Sequence, residues 1–221
     1  MAQRRGRIVV AAGTNGAGKS VIAGEFLAAR AEGAHFNPDL AAKAIVAKDS
    51  LTLEEANARA WNVGFELLNR SIEHNEDFSF ETTLGGNSIT QALMRAAASG
   101  LDVFVLYVGL DSPDRHIARV NARVMRGGHP IAADRIRERY PKSLANLIKL
   151  LACASEVRIY DNSAESADGT PRARLVLSMS RRRIVGPSVS ELVATAPEWA
   201  KPVVAAAIRV HEQHRSSKTR R

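Results

Sequence analysis

Residues 13–20 read Gly-Thr-Asn-Gly-Ala-Gly-Lys-Ser, the spacing G-x-x-x-x-G-K-[ST]. An apolar run, Ile8-Val9-Val10-Ala11-Ala12, precedes them, and a helix-compatible stretch from Val21 to Arg30 follows. This order of strand, glycine loop and helix constrains the fold more than any other stretch, because it joins the carboxyl end of a strand to a helix N-terminus. Gly13, Gly16 and Gly18 permit positive φ and let the backbone approach a phosphate with no Cβ in the way. The N–H groups of the loop, from Gly13, Thr14, Asn15, Gly16, Ala17 and Gly18, lie where orphan donors and the helix dipole favour an anion. Lys19 is placed to reach the β- and γ-phosphates, and the Ser20 hydroxyl to ligate Mg2+. The octet predicts a bound nucleoside triphosphate and leaves the fate of its γ-phosphate open.

Around the loop, short β-type runs alternate with longer helical patterns. Strands are expected at Arg7–Ala12, Ala34–Asn37, Asp77–Glu81, Val103–Val108 and Glu156–Tyr160. Helices are expected at Lys19–Ala31, Leu53–His74, Ser88–Ser99, Pro113–Met125 and Ala132–Leu151. Thr52 stands before Leu53 with Glu55 three residues on, the spacing of a capping box. Such alternation predicts an α/β fold of the P-loop NTPase type, with a mainly parallel central sheet and helices on both faces. Ligands of such sheets bind beyond the carboxyl ends of the strands, so strand ends become the shortlist of functional positions.

After Asp161 the character changes. A small, polar stretch from Asn162 to Gly169 reads as a loop, and Arg172–Ser180 with Arg183–Val185 as a terminal hairpin. Pro187, Pro197 and Pro202 then divide short helical pieces. The expected organisation is a kinase-like P-loop domain over 1–186 and a helical appendage over 187–221, with a basic, disordered end at 216–221. Of the net charge of +8, much lies from Lys201 onward, where Lys201, Arg209, Arg215, Lys218, Arg220 and Arg221 face Glu212 alone. A solvated tail explains this better than a nucleic-acid partner. Cys153 is the single cysteine, which excludes an intrachain disulfide and any multi-cysteine metal site. No run is long enough to span a bilayer, so the expectation is a cytoplasmic protein without membrane contact.

Three strand-end clusters carry candidate chemistry. Asp39, in Asn37-Pro38-Asp39, follows the second strand and suits either the general base of a phosphoryl transfer or a helix N-cap. Glu81-Thr82-Thr83 ends the third strand before Leu84-Gly85-Gly86, an acid and two hydroxyls that suit a polyhydroxyl acceptor or water-mediated support of magnesium. Arginines 115, 119, 123, 126, 135, 137 and 139 crowd around Gly127-Gly128-His129-Pro130, a break of the kind a closing lid needs. Arg119, Arg123 and Arg126 share one helix face, and one or two of the cluster are expected on the transferring phosphate, the others at the surface.

These pieces together resemble the zeta toxin family of P-loop kinases, in its chromosomal zeta toxin-like form. The resemblance runs from Arg7 to Ser163 through residues 12–20, Asn37-Pro38-Asp39, Phe78-Ser79-Phe80-Glu81-Thr82-Thr83-Leu84, Arg119–Arg126, Gly127-Gly128-His129-Pro130-Ile131, residues 139–147 and Ile159-Tyr160-Asp161-Asn162-Ser163. It implies ATP as phosphate donor, with Lys19 and Ser20 on ATP and Mg2+, and Asp39 as base. It implies Glu81 and Thr82 at the acceptor, Arg126 as a lid arginine, and Arg123 or Arg119 as the second. It further implies the 3′-hydroxyl of UDP-N-acetylglucosamine as a candidate acceptor, the loop of residues 160–162 beside the adenine, and an antitoxin protein as a candidate partner.

Two other classes compete with a small-molecule kinase. A P-loop ATPase or GTPase switch is disfavoured because no asparagine is followed by lysine, which removes the guanine signature Asn-Lys-x-Asp. A nucleic-acid-associated NTPase lacks stacking platforms near the basic tail, where Trp199 stands alone.

Overall fold

The computed structural model describes residues 4–30, 35–167 and 169–219. Seven strands form one sheet in the order β2-β3-β1-β4-β5-β6-β7. These are β1 (Arg7–Ala12), β2 (His35–Phe36), β3 (Phe78–Thr82), β4 (Asp102–Gly109), β5 (Glu156–Asp161), β6 (Arg174–Ser180) and β7 (Arg183–Gly186). The first five pair in parallel, and β6 and β7 add antiparallel at one edge. The expected parallel sheet is present, as is the terminal hairpin, whose turn residues Arg181 and Arg182 both have positive φ (45° and 66°). The second strand is short; Ala31, expected to end the first helix, and Ala34, expected to open this strand, lie outside the described residues.

Strand alternation places the core. Ile8, Val10 and Ala12 of β1, with Val103, Val105 and Tyr107 of β4, face one large cluster. Val9 and Ala11, with Leu106 and Val108, face a smaller one under α1 (Lys19–Ala28) through Ala23 and Phe26. Both faces of the central strands are thus covered, which is why they read as unbroken apolar runs. The large cluster is closed by α3 (Leu53–His74), α4 (Asn87–Ala98) and α6 (Ala133–Leu150) through Leu68, Leu93 and Leu147. The capping box of α3 forms as expected: Thr52 Oγ1 accepts from Glu55 N at 3.3 Å, and Glu55 Oε2 accepts from Thr52 N at 2.9 Å.

Two differences from the sequence reading have physical causes. A full helix, α2 (Pro38–Asp49), stands where only a helix start near Asp39 is expected. Its weak amphipathicity hides it; it is held by Ala42 packed on Ala56 and Ala60 of α3. Beyond Pro187, the expected appendage is α7 (Val189–Thr195), a 3-10 turn at Glu198–Ala200 and α8 (Lys201–Thr219). Trp199, Val203, Val204 and Ala207 from this segment are buried in the main cluster. Disorder is expected over 216–221, whereas α8 continues through Thr219, because extending a formed helix adds one backbone bond per residue fixed. Arg220 and Arg221 lie outside the described residues. Among the described residues, no helix is long and apolar enough to cross a membrane.

Candidate functional site

The glycine loop leaves the carboxyl end of β1 and is pinned by the elements around it. Gly13 N donates to Thr82 O at the end of β3 (3.1 Å). A Cβ at Gly13, whose φ is 136°, would lie 2.1 Å from Val108 O on β4, and one at Gly18 (φ 88°) would lie 2.7 Å from Asn162 Nδ2. Asn162 Nδ2 in turn donates to Ala17 O (2.9 Å). The tip of the loop is held by α5 (Pro113–Val124), where the buried His116 meets Asn15 O through Nδ1 at 2.8 Å. A carbonyl only accepts, so Nδ1 carries the proton; burial pushes the ring's pKa down to about 4, so that it stays neutral.

Lys19 and Ser20 open α1 at the end of the loop. Lys19 Nζ donates to Gly13 O (2.9 Å), and Ser20 Oγ donates to Glu81 Oε1 (2.8 Å). Burial lowers the Lys19 pKa, which the charges of Glu81 and Asp39 partly offset, while Arg123 and Arg139 lower it further. Glu81 is 9% exposed. Burial alone raises its pKa, but the facing His35, the Lys19 charge and the Ser20 hydroxyl together outweigh that and leave it below the ordinary carboxylate value. Glu81, expected at the acceptor, thus both lines the cavity and holds the Ser20 hydroxyl at the head of α1.

The position of Asp39 bears on one of its two sequence readings, the helix cap. Asn37 is the N-cap of α2: its Oδ1 accepts from Asp39 N (2.9 Å) and Leu40 N (3.1 Å). The capping reading of Asp39 is overturned because the residue two before it has taken that task. The Asp39 carboxylate instead lines a cavity of about 860 Å³ that adjoins the loop. Its Oδ2 lies 3.7 Å from Arg123 Nη1. Thr82 and Thr83 line the same cavity, with hydroxyls accepting from Leu84 N (3.1 Å) and Gly85 N (3.3 Å).

The arginine cluster separates into distinct places. Arg123 lies across the turn after α5, where its Nη2 donates to His129 O (3.1 Å). That turn closes α5 with Gly127 at φ 84° and Gly128 N bonded to Arg123 O (2.9 Å), a Schellman-type end. Arg119 turns away and pairs with Glu165 on the loop after β5 (3.0 Å). Between the two, it is Arg123 that the structure brings to Asp39. Arg126 is exposed on the turn. Arg139 is the residue that sequence reasoning left without a role. From α6 its Nη1 donates to Asn15 Oδ1 (3.0 Å), its stem packs where a Gly85 Cβ would sit, and it lines the cavity beside Asp39. Its membership of the resembling segment 139–147 was the available signal.

The loop of residues 160–162 adjoins the nucleotide side through Asn162. Its neighbour Asp161 is set from the C-terminal segment, whose Trp199 Nε1 donates to Asp161 Oδ1 (3.2 Å). The indole packs closely against Gly109, where a Cβ would come within 2.3 Å of the ring.

Comparison with known proteins gives a family and a fold. The family model described as Zeta toxin matches residues 1–168. An uncharacterized protein of Haemophilus influenzae (strain Rd) is 32% identical over 135 residues, 58% of this chain and 88% of that protein. Among solved structures, the AvrRxo1-ORF1:-ORF2 complex with ATP superposes with a TM-score of 0.54 at 13% identity, covering 95% of this chain and 77% of that one. The PezAT chromosomal toxin-antitoxin system of Streptococcus pneumoniae gives 0.50 at 15% identity, covering 96% and 88%. At such identities these two likenesses speak for the fold.

Proposed function

The chain belongs to the zeta toxin family, and on that premise we propose that it transfers the γ-phosphate of ATP to a hydroxyl of a small-molecule acceptor, with Asp39 as general base. The observation that carries this reading is the Asp39 carboxylate, released from capping duty by Asn37 and facing a cavity that adjoins the phosphate loop. In the transfer, the acceptor oxygen bonds to the γ-phosphorus, the bond from that phosphorus to the β–γ bridging oxygen breaks, and the hydroxyl proton passes to Asp39. Lys19 and the loop N–H groups hold the phosphates. Arg123 and Arg139 supply charge to the transferring group, and closure of the 127–130 turn would carry Arg126 toward the same oxygens.

Magnesium fits the phosphate side. Ser20 Oγ would ligate it together with phosphate oxygens, and Glu81, already 2.8 Å from that hydroxyl, would hold one of its waters. Bound there, the ion neutralises charge on the phosphates. Within this reaction the family resemblance makes the 3′-hydroxyl of UDP-N-acetylglucosamine one candidate acceptor. AvrRxo1-ORF1 is solved with ORF2, and PezAT is a toxin-antitoxin system, which supports an antitoxin-like protein partner for this chain as well.

The test is mass spectrometry of a metabolite extract incubated with the protein, ATP and magnesium, seeking a species that gains one phosphate. Asp39→Asn is expected to lower its rate of formation by roughly 10²–10⁴ with ATP affinity nearly unchanged. An unaltered rate would remove Asp39 from the chemistry.

A further inference from the structure

Asp161 closes β5, and Asn162 and Ser163 follow it in a turn built on one carboxylate oxygen. Asp161 Oδ1 accepts from Ser163 N (3.1 Å) and from Ser163 Oγ (2.5 Å), the bonding of an Asx turn. A third donor, Trp199 Nε1, reaches the same oxygen at 3.2 Å. The first two belong to the turn itself. The indole comes from 38 positions further on and ties the turn to the segment after Pro187. That tie is firmly seated. Trp199 is buried against Gly109 at the end of β4, with its ring 6.3 Å from that of Tyr107, and Val203, Val204 and Ala207 of α8 are buried in the same cluster.

The turn in turn braces the glycine loop by two routes. Asn162, 3% exposed, donates through Nδ2 to Ala17 O (2.9 Å) and through its N–H to Gly109 O (3.0 Å). Ser163 Oγ accepts from Asp111 N (2.8 Å), directly before the Ser112 cap of α5. From α5, His116 holds Asn15 O. Ala17 is therefore carried by the turn itself, and Asn15 by the helix that the turn anchors. A buried indole needs one acceptor, which any backbone carbonyl supplies. Here the acceptor is the carboxylate that shapes this turn.

Resting on the nucleotide reading above, we infer that Trp199 is a positioning residue for ATP: by fixing the Asp161 carboxylate it orders the turn of residues 161–163, and through that turn the glycine loop. The segment after Pro187 then serves nucleotide binding from outside residues 1–168, the stretch that the family model matches. Trp199 acts through Asn162 and Ser163 and takes no part in the chemical step. Without its N–H, the order of the loop has to be supplied when ATP binds, which lowers affinity. Turnover of seated ATP changes little, because the loss falls on ground-state and transition-state binding alike.

The experiment is calorimetric titration of the full chain with ATP and magnesium, comparing wild type, Trp199→Phe, Asp161→Ala, the double variant and Val203→Ala. Trp199→Phe keeps a ring in the core and removes the donor, and its Kd for ATP is expected to rise roughly three- to tenfold. Asp161→Ala should raise it at least as far, and adding Trp199→Phe to it should change nothing more, because both act along one line. Val203→Ala is the packing control from the same segment: a lower thermal midpoint with Kd within about twofold of wild type. Amide hydrogen exchange at residues 13–20 without nucleotide should quicken in Trp199→Phe and not in Val203→Ala. An unchanged Kd in folded Trp199→Phe, an equal rise in Val203→Ala, or additive losses in the double variant each overturn the inference and leave the nucleotide reading standing. Should Trp199→Phe fail to fold, an unchanged Kd in Asp161→Ala overturns it as well. Wild type that binds no ATP sinks both.

Discussion

On the proposed reading, the nucleotide side and the acceptor side of this cleft are built in opposite ways. On the nucleotide side, four separate elements hold one loop: the end of β3 through Thr82, β4 through Val108, α5 through His116, and the loop after β5 through Asn162. On the acceptor side, α2, α3 and the start of α6 surround an open cavity whose rim pairs are exposed, Arg135–Glu54 among them. Exposed pairs of this kind contribute little to holding a shape. The lesson is one of division of labour: a triphosphate common to many enzymes meets a preorganised cradle, while the part that distinguishes one acceptor from another is left adjustable.

The largest expected effect tests the cradle itself. Lys19→Ala removes the cation that follows the γ-phosphate, and kcat is expected to fall more than roughly 10³-fold with the thermal midpoint almost unmoved. Near-normal turnover in the folded variant would break the comparison, because the rigid side would then not be the reacting side.

The lock beneath the cradle is tested by pH. His116 titrates at about 4 in the folded protein, against 6.5 for an ordinary histidine. Between those values the unfolded chain binds a proton that the folded one refuses, so stability is complete above pH 6.5 and is lost as pH falls toward 4. The loss attributable to this ring amounts to about 3 kcal/mol. Denaturant unfolding of wild type and His116→Gln across pH 4–7 measures it, and the variant should show the flatter profile. Parallel profiles would mean that the ring does not carry the lock.

A smaller effect compares the arginines. Arg139→Lys keeps charge but loses the planar fork, and kcat is expected to drop tenfold or somewhat more, with ATP affinity little changed. Arg126→Lys, on the exposed turn, is expected to cost several-fold, because its contribution depends on closure. Equal losses in steady-state kinetics would show the acceptor side spending its working time closed; no loss at Arg126 would place the turn outside the mechanism. The smallest effect concerns scaffolding alone. Asn37→Ala removes the acceptor for Asp39 N and Leu40 N and should cost about 1 kcal/mol in unfolding experiments, with far less effect on kcat than Asp39→Asn.

What could be read from the chain follows the range of the interactions involved. The loop, β1 and α3 were legible because their signals are local: glycine spacing, an apolar run and a capping box. Asp39 was ambiguous because Asn37 and Asp39 both suit the first turn of a helix, and only the backbone shows which of them caps it. Arg139 could not be singled out from its arginine cluster because its partner Asn15 lies 124 positions away and is reached only when α6 docks beside the loop. The burial of the segment after Pro187 escaped notice for the same reason, since Trp199 finds its place against Gly109, 90 residues earlier.

That placement gives the protein two built-in optical probes. Of its two tryptophans, Trp199 is enclosed, 7% exposed, bonded to Asp161 at the end of β5 and 6.3 Å from the Tyr107 ring. Trp61 stands nearly half open in the acceptor cavity. Their emission should differ in wavelength and in access to a soluble quencher, so that each single-tryptophan variant watches one substrate arrive without a label attached.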